Sequence, residues 1–294
     1  MEEMQSRRIE CITRRDRRYP ERMRELPDMP ERIYVLGNLP RDDVPSIAII
    51  GARKSSYYGR SQASAYARYF SSLGIQVISG MALGIDGEAH RGALEGGTPT
   101  YAVLGCGVDV CYPRSNEILY QKIQQKGGII SEQPPGQGAR PGFFPLRNRI
   151  ISALADVILV IEAREKSGSS ITVNYALEQG KAVYALPGPV GKELSVGCHR
   201  LIDEGAGIAY TPEIILREWE HKTKKEENPL KKKKIGLAGD RDLVYSVLDL
   251  QPKSLNELAK KSQMSLQKTA QALIELELLG MITEVGKNYY RRNP

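Results

Sequence analysis

Between residues 47 and 219, short apolar runs alternate with longer helix-forming segments. The first run, Ile47-Ala48-Ile49-Ile50, contains no polar residue, which predicts a strand buried on both faces. It stops at Gly51, passes through Arg53-Lys54-Ser55-Ser56, and gives way after Gly59 to a helix expected over 60–73. Strands are expected again at 76–79, 100–104, 128–131, 157–161 and 182–186. Helices are expected near 85–94, 115–125 and 146–155, and from the Ser167-Gly168-Ser169-Ser170 turn to 179. A last short unit, Gly207-Ile208-Ala209-Tyr210, closes the series. This alternation predicts an α/β fold: an extended Rossmann-like, doubly wound, mostly parallel sheet with right-handed crossovers, placed over 46–218.

Both flanks break the pattern. Residues 1–45 begin basic and turn proline-punctuated, and 31–37 predicts one short strand. So small a leader is expected to pack on the domain that follows it. Over 219–240 the composition shifts to a run that includes KTKKEENPLKKKKIGLAG, which cannot bury apolar surface and predicts a basic linker. Beyond it, helices are expected at 242–248, 254–261 and 265–279. Ser254, with Glu257 three residues on, fits a capping box, and 281–290 reads as a hairpin turning at Gly286-Lys287-Asn288. Three helices and a hairpin predict a small C-terminal winged-helix domain over 241–294.

A chain of 294 residues, 41% hydrophobic and 26% charged, is long enough for two or three domains with cores of their own. Its net charge of +7 favours an anionic partner without specifying one. The charged start, MEEMQSRRIECITRRDRRYP, does not read as a secretory signal, and no apolar run approaches membrane-spanning length. Cys11, Cys106, Cys111 and Cys198 form no CxxC pair and suit a reducing cytosol, so a cytoplasmic location is expected. His90, His199 and His221 lie far apart with no HExxH pattern, and neither a metal nor another cofactor is expected.

Ligands of an open α/β sheet bind beyond the carboxyl ends of its strands. Those ends carry Gly51 to Lys54, Ser79-Gly80, 105–107, Ser131-Glu132, 162–168 and Pro187-Gly188. Glycines let a ligand approach bare backbone, and the helix N-termini that follow offer N–H donors. Arg53, Lys54, Arg147, Arg149 and Lys166 bring positive charge to the same edge. A row of donors suits an extended polyanion better than one buried pyrophosphate. Neither GxGxxG nor GxxxxGK[ST] occurs, which disfavours a dinucleotide or a Walker-type ATP site. Each strand-end glycine alone is an ordinary turn; their accumulation with basic and hydroxyl residues points to an anion.

Two of the three phenylalanines, Phe143 and Phe144, directly precede Arg147-Asn148-Arg149. Aromatics beside arginines suit stacked bases held next to phosphates, as in single-strand binding. Equally, one of them, Phe144, plugs the core beneath the loop. Asp86 and His90 sit four apart, as an acid/base pair on one helix face would, but a helix cap and a packed histidine account for them as well. Glu132 and Glu162 at strand ends serve either acid/base work or ion pairs that organise Arg147 or Arg149.

IAIIGARKSSYYG, VISGMALGIDGEAHRGAL, YAVLGCGVDVCYP, GGIISEQPPG, FPLRNRIISAL, EAREKSGSSITVNYALEQG and the PG of AVYALPG occur in that order. Together, over about residues 30 to 216, they resemble the DNA-processing protein A (DprA/Smf) family. The end of the chain, from Asp242, looks like the winged-helix module that many members carry. Some members have a SAM-like domain at the N-terminus, for which this leader is expected to be too short.

The resemblance implies an extended Rossmann domain that binds single-stranded DNA, dimerises, and helps load the RecA recombinase in natural transformation. Gly51-Ala52-Arg53 matches the family's G-[ST]-R turn, with Ala52 where Ser or Thr is usual. Arg147-Asn148-Arg149 and Lys166-Ser167-Gly168-Ser169 match its RNR and KSGS segments, and Phe143 stands where a polar residue is more usual. The expected DNA-binding set is therefore Gly51, Arg53, Lys54, Ser79, Gly80, Phe144, Arg147, Asn148, Arg149, Lys166, Ser167, Gly168 and Ser169. A non-catalytic, cytoplasmic, homodimeric mediator is the expected function. The competing expectation is an enzyme of the lysine-decarboxylase-like phosphoribohydrolase group, whose PGGxGTxxE motif is absent here. Sequence-specific duplex binding by the winged helix is disfavoured, because its expected recognition helix carries Lys268 as its one base.

Overall fold

Residues 8–165, 167–219, 240–249, 252–286 and 288–292 are described by a computed structural model. The chain divides into two compact units, Met1–Lys225 and Glu226–Pro294.

In the first unit, β1 (Glu10–Thr13), the one-turn helix α1 (Glu21–Arg24) and β2 (Arg32–Gly37) precede the alternating series. That series runs β3 (Ser46–Ile50), α2 (Tyr57–Ser72), β4 (Gln76–Ser79), α3 (Ile85–Gly96), β5 (Thr100–Val103), α4 (Glu117–Lys126) and β6 (Gly128–Ser131). It continues with α5 (Phe143–Leu154), β7 (Val157–Val160), α6 (Gly168–Glu178), β8 (Ala182–Ala185), α7 (Glu193–Asp203) and β9 (Gly207–Ile208). The strands form one sheet in the order β1-β2-β6-β5-β4-β3-β7-β8-β9. From β6 to β9 every pair is parallel, while β2 joins β6, and β1 joins β2, antiparallel.

All five residues of β3 are buried. Ile47 and Ile49 meet Ala63, Tyr66 and Phe70 of α2 on one face, whereas Ala48 and Ile50 meet Ile150, Ile151 and Leu154 of α5 on the other. Alternation of side chains across a strand, with helices on both faces, is why this run contains no polar position. The sheet is doubly wound and Rossmann-like, as the alternation predicts.

Two boundaries differ from expectation. The segment before residue 46 does more than pack on the domain, since it supplies two strands to the sheet and Ile12, Tyr19, Met23, Met29, Ile33 and Val35 to its core. Arg22 anchors it, donating to the Leu154 carbonyl at 2.9 Å and pairing with Asp42 at 3.1 Å. At the other end, Trp219 belongs to the core rather than to a linker, 2% exposed with its ring 6.2 Å from Phe70. Of the expected linker, 220–239 lies outside the described residues.

The second unit contains α8 (Asp240–Val247), β10 (Lys253–Ser254), α9 (Leu255–Ser262), α10 (Leu266–Leu278), β11 (Ile282–Gly286) and β12 (Tyr289–Arg292). Three helices pack on the antiparallel sheet β10-β12-β11 around Val244, Leu258, Leu273, Leu276 and Ile282, a winged-helix arrangement. Ser254 caps α9 by accepting from the Glu257 N–H at 3.3 Å, and β10 is the one strand that the sequence pattern did not announce. The expected hairpin joins β11 to β12, and Lys287 in its turn lies outside the described residues. No helix among the described residues is long and apolar enough to cross a membrane.

Candidate functional site

β3 and β7 are neighbours in the sheet, yet the helices that follow them, α2 and α6, pack on opposite faces. The diverging connections leave a crevice beyond the strand ends, the usual place for a ligand in an open α/β sheet. Here it is a cavity of about 410 Å³, lined by 50–54 after β3, Ala82 and Asp86 after β4, 147, 148 and 151 of α5, and 167–169 and Thr172 after β7.

Backbone contacts set the first wall. A Cβ on Gly51 would lie 2.8 Å from the Glu162 carbonyl oxygen, so only glycine allows the turn to press against β7. The Ala52 N–H donates to that same carbonyl at 2.8 Å, and the Ala52 carbonyl accepts from the Ile85 N–H at 3.3 Å. Glu162, nearly buried, accepts from the Ser56 N–H at 2.9 Å and from its hydroxyl at 2.5 Å. Ser56 in turn caps α2, accepting from the Gly59 N–H at 3.0 Å. Held from both sides, the turn projects Arg53 and Lys54 outward, and neither pairs with a carboxylate among the described residues.

The opposite wall is the start of α6. Its N-cap, Ser167, makes no side-chain cap; its hydroxyl instead lies 2.6 Å from that of Ser169. No acidic residue occupies the first turn, so the positive end of the helix faces the cavity with its N–H groups available to an anion. Asn148 ties α5 to this end by donating to the Gly168 carbonyl at 3.3 Å. Lys166 lies outside the described residues.

Arg147 forms the floor rather than an exposed grip. It is 3% exposed, and its Nη1 donates to the Gly80 carbonyl at 2.7 Å and to that of Val103. Burial pushes its guanidinium down to about 10, which still leaves it charged at neutral pH. A Cβ on Gly80 would fall 2.6 Å from both Arg147 Nη1 and Asp86 Oδ2, so the glycine makes room for this cluster. Burial raises the Asp86 carboxyl above its usual range, opposed by the charge of Arg147 and by backbone N–H groups of Ala82 and Gly80.

Three of the expected binding residues therefore do not face a ligand directly. Arg147 is spent on carbonyls. Arg149 pairs with Glu132 at 2.5 Å and is absent from the cavity lining. Ser79 is fully buried, donating to the Ile49 carbonyl at 2.7 Å. Glu132 and Glu162 hold structural partners, which leaves neither positioned as a general acid or base. Nor do Asp86 and His90 act as a pair: His90 is fully buried, 2.8 Å from the Thr100 hydroxyl, and burial drops it to about 3, hence neutral.

Above the cavity, Phe144 is half-buried over Gly105, whose Cβ would come 3.0 Å from its ring. The Arg53 guanidinium lies 5.2 Å from the Phe144 centroid, and the Tyr112 ring lies 5.5 Å away on the same aromatic cluster. Both readings of this phenylalanine apply, since it fills space beneath one side and offers a ring edge to the other. Sequence reasoning did not single out Arg164, Thr172 or Tyr112. Tyr112 ends the YAVLGCGVDVCYP segment, but an isolated tyrosine in a loop carries no spacing signal. Burial pushes the Cys106 thiol up to about 11 and Cys198 up to about 12, and the described residues contain no group of side chains arranged to hold a metal.

Comparison with known proteins follows the same line. A family model described as DNA recombination-mediator protein A matches residues 10–220, and one described as the DprA winged helix domain matches 228–286. The chain is 30% identical to Protein Smf of Synechocystis, over 99% of this chain and 82% of that one. The structure of DNA processing protein A from Streptococcus pneumoniae superposes with a TM-score of 0.68 at 36% identity, covering 72% of this chain and 75% of that one. A Helicobacter pylori DNA processing protein A, described for its single-stranded DNA binding mode, gives a TM-score of 0.65 at 28% identity, with 73% and 96% covered.

Proposed function

Since the chain belongs to the DNA recombination-mediator protein A family, we propose that it binds single-stranded DNA at the β3–β7 crevice and passes it to a RecA-type recombinase, without catalysis. The observation that carries this reading is the pair of uncompensated cations, Arg53 and Lys54, facing an uncapped helix N-terminus across the crevice. Phosphates of a flexible strand fit between them. The bent, open crevice suits a single strand better than a stiff duplex, and Phe144 beside Arg53 gives an unstacked base a surface.

In this reading Arg53, Lys54 and the N–H groups at Gly168 and Ser169 contact phosphate, Asn148 and Ser167 hold the α6 start, and Gly51 and Gly80 let backbone and floor come close. Arg147 contributes its charge from beneath rather than a direct hydrogen bond. Lys166, adjacent to Ser167, adds a further cation. The active protein is a cytoplasmic homodimer, a state that sedimentation of the full chain tests.

Titration of a fluorescent, unstructured oligonucleotide with the full chain tests the site. Arg53→Ala is expected to weaken binding about tenfold at moderate salt and to lower the slope of log K against log salt by about one, as loss of one phosphate contact requires. Unchanged affinity and slope would sink the crevice as the binding site. One observation favours a nucleotide-processing enzyme, namely that the Asp86 carboxyl lines the cavity floor. Incubation with nucleoside monophosphates separates the two, because sustained release of free base belongs only to the enzyme.

A further inference from the structure

The crevice accounts for phosphates but not for the aromatic surface that leaves it. Phe144 lies between two partners, with the Arg53 guanidinium 5.2 Å from its centroid and the Tyr112 ring 5.5 Å away at a tilt of 36°. Tyr112, in the loop after β5, is 47% exposed. The aromatic rings of the core behave differently: Phe70 is fully buried among Tyr66, Tyr69 and Trp219. A tyrosine that presents half of its surface to solvent at the end of a planar series invites another planar group.

The charges around this series are distributed unevenly. Arg114, two residues beyond Tyr112, and Arg140, whose guanidinium lies 5.8 Å from the Phe143 centroid, are both exposed. Neither holds a carboxylate among the described residues. On adjoining elements Arg91, Arg149 and Arg164 are each neutralised, by Glu88 at 3.0 Å, Glu132 at 2.5 Å and Glu193 at 3.3 Å. Free positive charge is thus concentrated beside the exposed rings. Planar faces flanked by uncompensated arginines match alternating bases and phosphates of an unpaired strand, because every base offers a π face and every linkage a negative charge.

We propose that Arg53, Phe144 and Tyr112 form a stacking platform for consecutive unpaired bases, with Tyr112 as its outer end and Arg114 and Arg140 beside the phosphates. The platform leads the strand out of the crevice and across the loop after β5. Successive rings are tilted, so the strand turns as it crosses them, which a duplex cannot follow. This inference rests on the single-strand reading of the crevice and adds the path that the strand takes from it.

The test compares variants of the full chain in oligonucleotide titrations across a salt series. Tyr112→Ala is expected to weaken binding about tenfold, the usual effect of removing one aromatic under a base, while the salt slope stays at the wild-type value. Tyr112→Trp is expected to keep affinity within about twofold. With the wild-type protein, one abasic site scanned along the oligonucleotide is expected to weaken binding at adjacent positions, and with Tyr112→Ala the outermost of these losses disappears. If Arg53→Ala weakens binding but Tyr112→Ala and the abasic scan change nothing, the platform is overturned and the crevice reading stands. If Arg53→Ala also changes nothing, both fall.

Discussion

Arg53 and Arg147 both line the crevice, and their surroundings give them opposite work. Arg53 is exposed and touches only the Phe144 ring, so its removal costs the fold little and a ligand much. Arg147 is buried against two strand-end carbonyls and the Asp86 carboxyl. Arg147→Met would leave those oxygens without a donor, at about 1–3 kcal/mol for each buried group left unsatisfied. Urea unfolding is therefore expected to show Arg147→Met destabilised by at least about 2 kcal/mol, with Arg53→Ala within about 0.5 kcal/mol of wild type. Equal stability of the two variants would refute the division. The sequence marked both arginines as basic residues near strand ends, but it did not give their directions. Residues 147 and 149 are two apart on α5 and so point about 200° from one another. Only one of them can face the crevice floor, and Arg149 turns to Glu132 instead. Ser79 illustrates the same limit: a hydroxyl at a strand end reads as a ligand contact until the neighbouring strand supplies a carbonyl for it.

At the scale of elements, α5 and α6 make the site by where they begin. The sequence pattern starts α5 at 146, after Pro145, whereas the helix begins at Phe143 and takes Pro145 into its first turn. Proline fits there because N–H groups in the first turn have no partner within the helix. That earlier start sets Phe143 and Phe144 on the helix rather than in a loop, and brings Phe144 over Gly105. α6 was legible from the Ser-Gly-Ser-Ser turn after an apolar run, and its N-terminus lies where an anion would need it. Gly168, its first residue, has open space around the position of a Cβ. Gly168→Asp therefore introduces a carboxylate without a clash. An acid at a helix start stabilises the helix by about 0.3–1 kcal/mol, and the same charge repels a phosphate. Thermal unfolding is expected to stay level or rise slightly while oligonucleotide affinity falls about tenfold or more. A variant that bound DNA as well as wild type would show that the α6 N-terminus is not part of the grip. The recognition-type helix α10 gives a contrast, since Lys268 lies 3.9 Å from Asp240 and Ile274 and Leu278 are exposed. Such a surface is poorly suited to phosphates.

For the whole molecule, the sheet connects the N-terminal segment to the crevice. The seven parallel strands from β6 to β9 were legible because each is a short apolar run followed by glycine and a helix. The two antiparallel strands were less so: β1 is four residues long, with one buried, and its partner is separated from it by a proline-rich stretch. Their contribution is nonetheless central, since β2 covers the edge of β6 that would otherwise expose its backbone donors and acceptors. Tyr19, Met23 and Ile33 are at most 1% exposed, and each such side chain contributes about 1.5–3 kcal/mol on burial. Together they amount to a sum comparable with the ~5–15 kcal/mol that separates folded from unfolded domains. Starting the chain at Ser46 is therefore expected to give a protein without a cooperative unfolding transition, prone to aggregate through β6 and unable to bind the oligonucleotide. Circular dichroism during heating and size-exclusion chromatography would show it. A stable monomeric truncation that kept its affinity would mean that the first two strands are an accessory to the sheet. The loss of binding expected here differs in kind from that of Arg53→Ala, because it comes with loss of fold, whereas Arg53→Ala leaves the transition in place and changes only the salt-dependent grip.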